Sequence, residues 1–233
     1  MTDIPYATAL IVGTGPGISA SVARRLAAAG LKVAVAARDT DKLRPLVAET
    51  GAEACFVDAG DPGSVESLFE QVEARIGIPE IVLYNAGGRV RGPLVDLDPE
   101  AVREAITVSA FGGFLVARQA ARRLVPRGHG AILFTGATAS VKGFAHSSAF
   151  AIGKFGLRGL AQSAARELGP LGIHVAHFII DGAVRSASRP DPADRPDSTL
   201  DPDAIAQSYL DVLRQPRSAW SSEITLRPWV EDF

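Results

Sequence analysis

The chain switches repeatedly between two hydrophobic periods. Short, almost uninterrupted apolar runs cover residues 9–12, 32–37, 54–57, 81–84, 131–135, 173–180 and 224–226. Runs of that length are short for helices, and their lack of strict alternation marks strands buried on both faces of a sheet. Between them apolar residues recur three or four apart, as in Ile18, Val22 and Leu26, or Val65, Leu68, Phe69 and Val72. That spacing gives one stripe of an amphipathic helix. Helices are expected from Ile18 to Gly30, over 40–49, from Pro62, from Pro99 toward Leu124, over 147–168 and over 204–213. Asp61-Pro62 has the cap-then-proline form of a helix start, and Asp39 or Thr40 offers a cap to the helix that follows.

Strand and helix taking turns in this way specify a sheet covered on both faces. The expectation is one doubly wound (Rossmann) α/β domain over residues 1–233, with a mainly parallel seven-stranded sheet in three α/β/α layers. The pattern has one long break, the polar, proline-rich stretch 186–202, which reads as a mobile loop at a pocket mouth. The helix over 147–168 is apolar nearly all round, with small residues at Ala149, Ala151, Gly153, Gly156 and Gly159. Such a helix is buried on more than one side, either inside a monomer or against a second copy.

Candidate chemistry begins at residues 9–19, ALIVGTGPGIS. A buried strand runs into Gly13, Gly15 and Gly17, and a helix starts at Ile18. Glycines let backbone approach a ligand with no Cβ in the way, and the helix start supplies free N–H groups and the positive end of a dipole. The point they share suits a pyrophosphate.

Composition narrows the partners. The 233 residues are 47% hydrophobic and 21% charged, enough for a large core. The 24 basic residues are scattered against 26 acidic ones, for a net charge of −2, so no footprint for nucleic acid is visible. Cys55 is the only cysteine; it allows no internal disulfide and reads as an inert core thiol. His174 and His177 lie three apart on one strand, face opposite sides and do not form a metal pair; no metal site is expected. No apolar run reaches the roughly 18–20 residues of a membrane span. The opening MTDIPY has no basic region ahead of an apolar one, so a soluble, cytoplasmic protein is expected.

Over essentially its whole length the chain resembles the classical short-chain dehydrogenase/reductase family. Gly13 to Ser19 resembles its G-x-x-x-G-x-G cofactor turn, and Asp58 after the third strand matches the acid it places near the adenine. Asn85-Ala86-Gly87 matches its N-A-G signature. Lys154 sits where its Y-x-x-x-K motif lies, and Asp181-Gly182-Ala183-Val184 stands at its P-G-x-V. The resemblance implies cofactor contacts from Gly13, Gly15, Gly17, Ile18, Arg38, Asp58, Asn85, Ala86, Gly87, Lys154, Gly182 and Val184. It also implies a homodimer or homotetramer paired through the two long helices.

The departures bear on activity. Ser19 replaces the third glycine, where it is expected to crowd the helix–strand contact slightly. Ser109 stands at the family's helix asparagine, and Ala137 at its catalytic serine, with Thr138 adjacent. Phe150 stands at its tyrosine, as in an atypical subgroup that keeps the lysine. The family's tyrosine gives a proton to the carbonyl oxygen while hydride arrives from the nicotinamide; Phe150 has none to give. Phe150, Lys154, Ser109 and Thr138 are therefore the catalytic positions to follow. Thr135, Tyr84 and His146 offer other protons, each with a plainer use as cap, packing residue or surface group. At the end of the second strand Ala37 and Arg38 replace the acid of NAD-preferring members, and a guanidinium suits a 2′-phosphate, so NADP is expected over NAD. The expected function is an NADP-dependent oxidoreductase with a non-standard proton donor. A catalytically silent nucleotide- or partner-binding protein, or a non-redox enzyme using the same cleft, is the alternative.

Overall fold

The computed structural model describes residues 4–231. Among them seven strands form one sheet: β1 (Thr8–Val12), β2 (Lys32–Ala37), β3 (Glu53–Phe56), β4 (Ile81–Tyr84), β5 (Gly130–Thr135), β6 (Ile173–Ile180) and β7 (Glu223–Leu226). The order is 3-2-1-4-5-6-7 and every neighbouring pair is parallel. The helices are α1 (Ile18–Ala28), α2 (Arg44–Thr50), α3 (Pro62–Ile76), α4 (Pro99–Ile106), α5 (Gly112–Leu124), α6 (Ser148–Leu168) and α7 (Pro202–Leu213). Strand order reverses between β1 and β4, which opens a crevice at their carboxyl ends.

The two-residue period of each strand sorts its side chains between two cores. Ala9, Ile11, Val33, Val35 and Leu83 pack with Val22 and Leu26 of α1 and with Tyr209 and Leu213 of α7. Leu10, Val12, Ala34, Val82 and Phe134 face the other way, onto Phe69 of α3, Val116 of α5 and Leu157 of α6. Each large side chain buried in this way contributes roughly 1.5–3 kcal/mol. The apolar runs are continuous because both faces of the sheet are covered. Cys55 is buried in the second core, and burial pushes its thiol pKa up. No helix among the described residues is long and apolar enough to cross a membrane.

The boundaries depart from expectation in four places. The helix expected from Pro99 to Leu124 is broken by a π-helical turn at Thr107–Phe111. Packing under it is tight: a Cβ on Gly112 would lie 2.4 Å from the Tyr84 hydroxyl, and one on Gly113 2.5 Å from Leu157. The Tyr84 hydroxyl donates to the Val108 carbonyl inside the turn. The helix expected over 40–49 opens instead with a 3₁₀ turn at Asp41–Leu43; Thr40 makes no side-chain cap, and Asp39 accepts from the Asp41 N–H at 3.2 Å. Ser147 occupies the cap position of α6 without a side-chain capping bond. α7 starts two residues early because Asp201 accepts from the Asp203 N–H at 2.8 Å and Pro202 fits the first turn.

Between β6 and α7 the chain is cross-tied. Val184 bridges to Leu200, and Ser186 to Arg189. Arg185 lies 3.2–3.4 Å from Asp191, Asp197 and Asp201, and Asp191 also accepts from the Thr199 hydroxyl at 2.6 Å.

Candidate active site

The crevice is built on glycines with different duties. Gly13 has φ +83°, and a Cβ there would lie 2.3 Å from the Ala86 nitrogen, so the approach of the β1 and β4 loops admits only glycine. Asn85 ties these loops together, its backbone N–H donating to Val12 O at 2.8 Å and its side chain to Gly13 O at 3.3 Å. Gly15 and Gly17 are unlike Gly13. A Cβ on either meets nothing within 4 Å. Packing does not require them, and the open space lies at the N-terminus of α1. Ser19 is fully buried and does more than crowd the contact: its hydroxyl donates to Gly13 O at 3.2 Å.

A cavity of about 270 Å³ runs from Gly13 past Arg38, Asp58, Ala86 and Gly87. Asp58 accepts from the Gly60 N–H at 3.0 Å and holds its loop in shape. Arg38 lies 3.7 Å from Glu104, with both side chains about 70% exposed, a pairing worth little. Asp39 turns instead to Lys42, at 2.9 Å. A second cavity, about 370 Å³, puts Arg24 and Lys42 beside Arg38 and Gly15. Arg24 is paired with Glu49 at 2.8 Å, and the sequence reading singled out neither cation as a cofactor contact.

At the other end, α6 brings Lys154 under the β4 and β5 loops. Its ammonium is buried, donates to Thr135 O at 2.8 Å and has no carboxylate partner among the described residues. Burial, then the charge of Arg89, pushes its pKa down from 10.5 to about 8. Phe150 lies one turn earlier, half-buried, with the Arg89 guanidinium carbon 4.4 Å and the Lys154 nitrogen 5.9 Å from its ring centre. A Cβ on Gly87 would lie 3.5 Å from Lys154 Nζ and 3.7 Å from Ser109 Oγ, so these three groups meet at one spot. Ser109 rides on the π turn; its hydroxyl accepts from the Gly88 N–H at 3.0 Å, against Gly153, where a Cβ would be 2.6 Å away.

Ile18, Asn85, Gly87, Phe150, Lys154, Gly182 and Val184 share a cavity of about 280 Å³. Next to it lies a larger one, about 670 Å³, lined by Thr138, Phe150, His146 and Gly182 together with Arg89, Arg91 and Arg189. Ser109 is fully buried and lines neither. Two other hydroxyls leave the list of donors. Thr135 turns to the opposite face of the sheet, where its hydroxyl shares a bond with Tyr209 at 2.8 Å, and the Tyr84 hydroxyl is spent on Val108. Behind Ala137, whose N–H donates to Ser140 Oγ at 3.1 Å, His177 lies 3.4 Å from that hydroxyl. Burial holds His177 well below its usual pKa, at about 4, so this histidine is neutral and structural. His174 is stacked on Trp220 and bonded to Ser221 O at 2.9 Å.

Residues 7–191 match the family described as short chain dehydrogenase. The chain belongs to that family. Over 175 residues it is 31% identical to the 3-oxoacyl-(acyl-carrier-protein) reductase MabA of Mycobacterium avium, a match covering 75% of this chain and 66% of the reductase, slightly under two thirds of the latter. A short-chain dehydrogenase from Rhodopseudomonas palustris superposes with a TM-score of 0.83 at 36% identity, covering 96% of this chain and 99% of that one. A metagenomic short-chain oxidoreductase solved in complex with NADP superposes with a TM-score of 0.85 at 26% identity, over 99% of this chain and 100% of the other. A seven-stranded Rossmann-like sheet is thus shared with solved members of the short-chain dehydrogenase family, a dehydrogenase and an NADP-bound oxidoreductase among them.

Proposed function

We propose that this member of the short-chain dehydrogenase family is an NADP(H)-dependent oxidoreductase acting on a carbonyl or alcohol, of an atypical kind with phenylalanine at the tyrosine position. The observation that carries the reading is the open cradle over Gly15 and Gly17, continuous with a crevice that leads past Asn85 to a buried, carboxylate-free lysine. The NADP complex of the metagenomic relative supports it. The donors fit the dinucleotide: the α1 N-terminus for the pyrophosphate, Asp58 on the adenine side, and Arg38 with Lys42 and Arg24 for a 2′-phosphate. When bound, the cofactor supplies the hydride.

The chain's own part is positioning and proton delivery. Phe150 contributes a flat apolar wall. Ser109 braces the Gly88 backbone. Lys154, with a pKa near 8 and a place in the cavity wall, is the group that holds and releases a proton near neutral pH. Thr138 lines the substrate side. The face formed by the π turn, α5 and α6 leaves Phe111, Phe114, Ile152 and Phe155 between 44% and 52% exposed, and we place a homodimer or homotetramer contact there.

Titration with NADPH and NADH, followed by nucleotide fluorescence, tests the cofactor reading: NADPH is expected to bind the more tightly, and no binding of either would remove it. Phe150→Tyr then restores a phenol between two cations, and carbonyl reduction is expected to rise by about 10²–10⁴-fold, the usual worth of a placed acid. NADPH binding with no turnover in either form favours a silent nucleotide-binding protein instead.

A further inference from the structure

The cavity beside Phe150 has a one-sided charge. Of the described side chains lining its 670 Å³, three are arginines, one is a histidine and none is a carboxylate, in a chain whose net charge is −2. Arg89 and Arg91 come from the loop after β4, and Arg189 arrives from the far side of the cleft, on the cross-tied segment after β6. Among the described residues none of the three forms an ion pair with a carboxylate.

Of the acids at hand, three are engaged elsewhere, and the Glu231 carboxylate lies against Gly182, 3.5 Å from where a Cβ there would be. Asp191, Asp197 and Asp201 all turn to Arg185. The backbones that carry the arginines are fastened. Arg189 N–H donates to Ser186 O at 3.0 Å, and Ser186 N–H returns the bond at 2.9 Å. Gly92, next to Arg91, donates to the His146 carbonyl at 3.2 Å, and His146 adopts φ +60° to present it, a conformation non-glycine residues take at a cost. Arg89 is stacked on Phe150. The mutual charge of the arginines adds to burial in pushing the Arg89 pKa down. Three guanidiniums held together with no counter-ion are a receptor for a multivalent oxyanion, which guanidinium pairs with in bidentate geometry.

We propose that the substrate of this site carries, besides its carbonyl or alcohol, an anionic carboxylate or phosphate group that Arg89, Arg91 and Arg189 hold across the cleft mouth. The inference rests on the oxidoreductase reading above and gives it a substrate class, an acidic oxo or hydroxy compound. The anion would sit beyond Phe150, on the side of the cavity away from the α1 cradle, which leaves the reacting carbon facing Lys154.

The experiment is a calorimetric titration of the whole protein, with NADPH present, by malonate, inorganic phosphate and neutral dimethyl malonate. The same series is run on Arg91→Gln/Arg189→Gln and on Arg91→Lys/Arg189→Lys. Both residues are exposed and make no side-chain hydrogen bond or ion pair among the described residues, so the variants are expected to fold. Malonate or phosphate is expected to bind the wild type, dimethyl malonate is not, and the glutamine variant is expected to lose about tenfold in anion affinity. The lysine variant falls between, since it keeps charge and loses the bidentate fork. Preference for malonate assigns a carboxylate group, and preference for phosphate a phosphate ester. Equal binding of dimethyl malonate, or anion binding unchanged in the glutamine variant, overturns the proposal. A parallel NADPH titration keeps the two readings apart. Absence of malonate and phosphate binding in the wild type with NADPH affinity intact defeats the substrate class alone, whereas absence of NADPH binding in the wild type defeats the cofactor reading whatever the anions do.

Discussion

Lys154 sets function against stability in a way that can be measured. Its ammonium is buried, with one hydrogen bond to a carbonyl and, among the described residues, no carboxylate to neutralise it. In the unfolded chain the lysine keeps its proton to about pH 10.5, whereas the native state gives it up near pH 8. Between those values the unfolded state binds more protons, so this group makes stability rise with pH across that window; below pH 8 both states are charged and the full cost remains. A shift from 10.5 to about 8 corresponds to about 3 kcal/mol. Lys154→Met keeps the length of the side chain and removes the charge, but leaves Thr135 O without its donor, which costs about 1 kcal/mol. The variant is therefore expected to be more stable than the wild type by about 2 kcal/mol at pH 7, while carbonyl reduction is lost. Urea unfolding of both proteins at pH 7, 8.5 and 10 gives the difference free of other titrating groups. The advantage should shrink as pH rises and reverse by about pH 10.5. A variant no more stable than the wild type at pH 7, or a difference that stays flat with pH, refutes the account of an unneutralised buried ammonium.

The two kinds of glycine in the cofactor turn should separate cleanly. Gly13→Ala puts a Cβ against the Ala86 backbone at a positive φ, and thermal melting should show a severely destabilised or unfolded protein; Gly15→Val fills open space only, and is expected to keep the melting temperature while weakening NADPH by about tenfold or more. Phe114→Glu with Phe155→Glu, on the exposed faces of α5 and α6, should convert an oligomer to a monomer in light scattering, and an unchanged mass would place the contact elsewhere.

Most of the frame was legible because a parallel sheet covered on both faces has to be written as apolar runs; the strand limits came within about one or two residues. Strand parity also carried information the sequence reading did not use. Thr135 shares its face with Ala131 and Leu133 in the α1–α7 core, so its hydroxyl points away from the crevice. The π turn at Thr107–Phe111 was not legible, since its apolar spacing passes for helix and its tight packing against Tyr84 is a tertiary contact. The arginine cluster was hidden for a similar reason. Arg89 and Arg91 are two apart, but Arg189 reaches them only through the fold. The Arg185 hub was equally invisible, because an arginine followed by three aspartates in a polar, proline-rich stretch looks like a solvated loop until the pairing is seen.

The all-parallel sheet has a kinetic consequence. Parallel neighbours cannot be joined by a tight turn, so each pairing waits for a whole crossover. β1 pairs on one side with β2, Thr8 opposite Lys32, and on the other with β4, Ala9 opposite Ile81. During synthesis one edge of this fully buried, apolar strand stays open until β4 has emerged, and the phosphate turn beyond it is not fixed until Asn85 binds Val12 and Gly13. Non-local pairing of this kind slows folding and leaves an apolar edge available to the wrong partner. The nascent N-terminal third, rather than the finished protein, is then the aggregation-prone species.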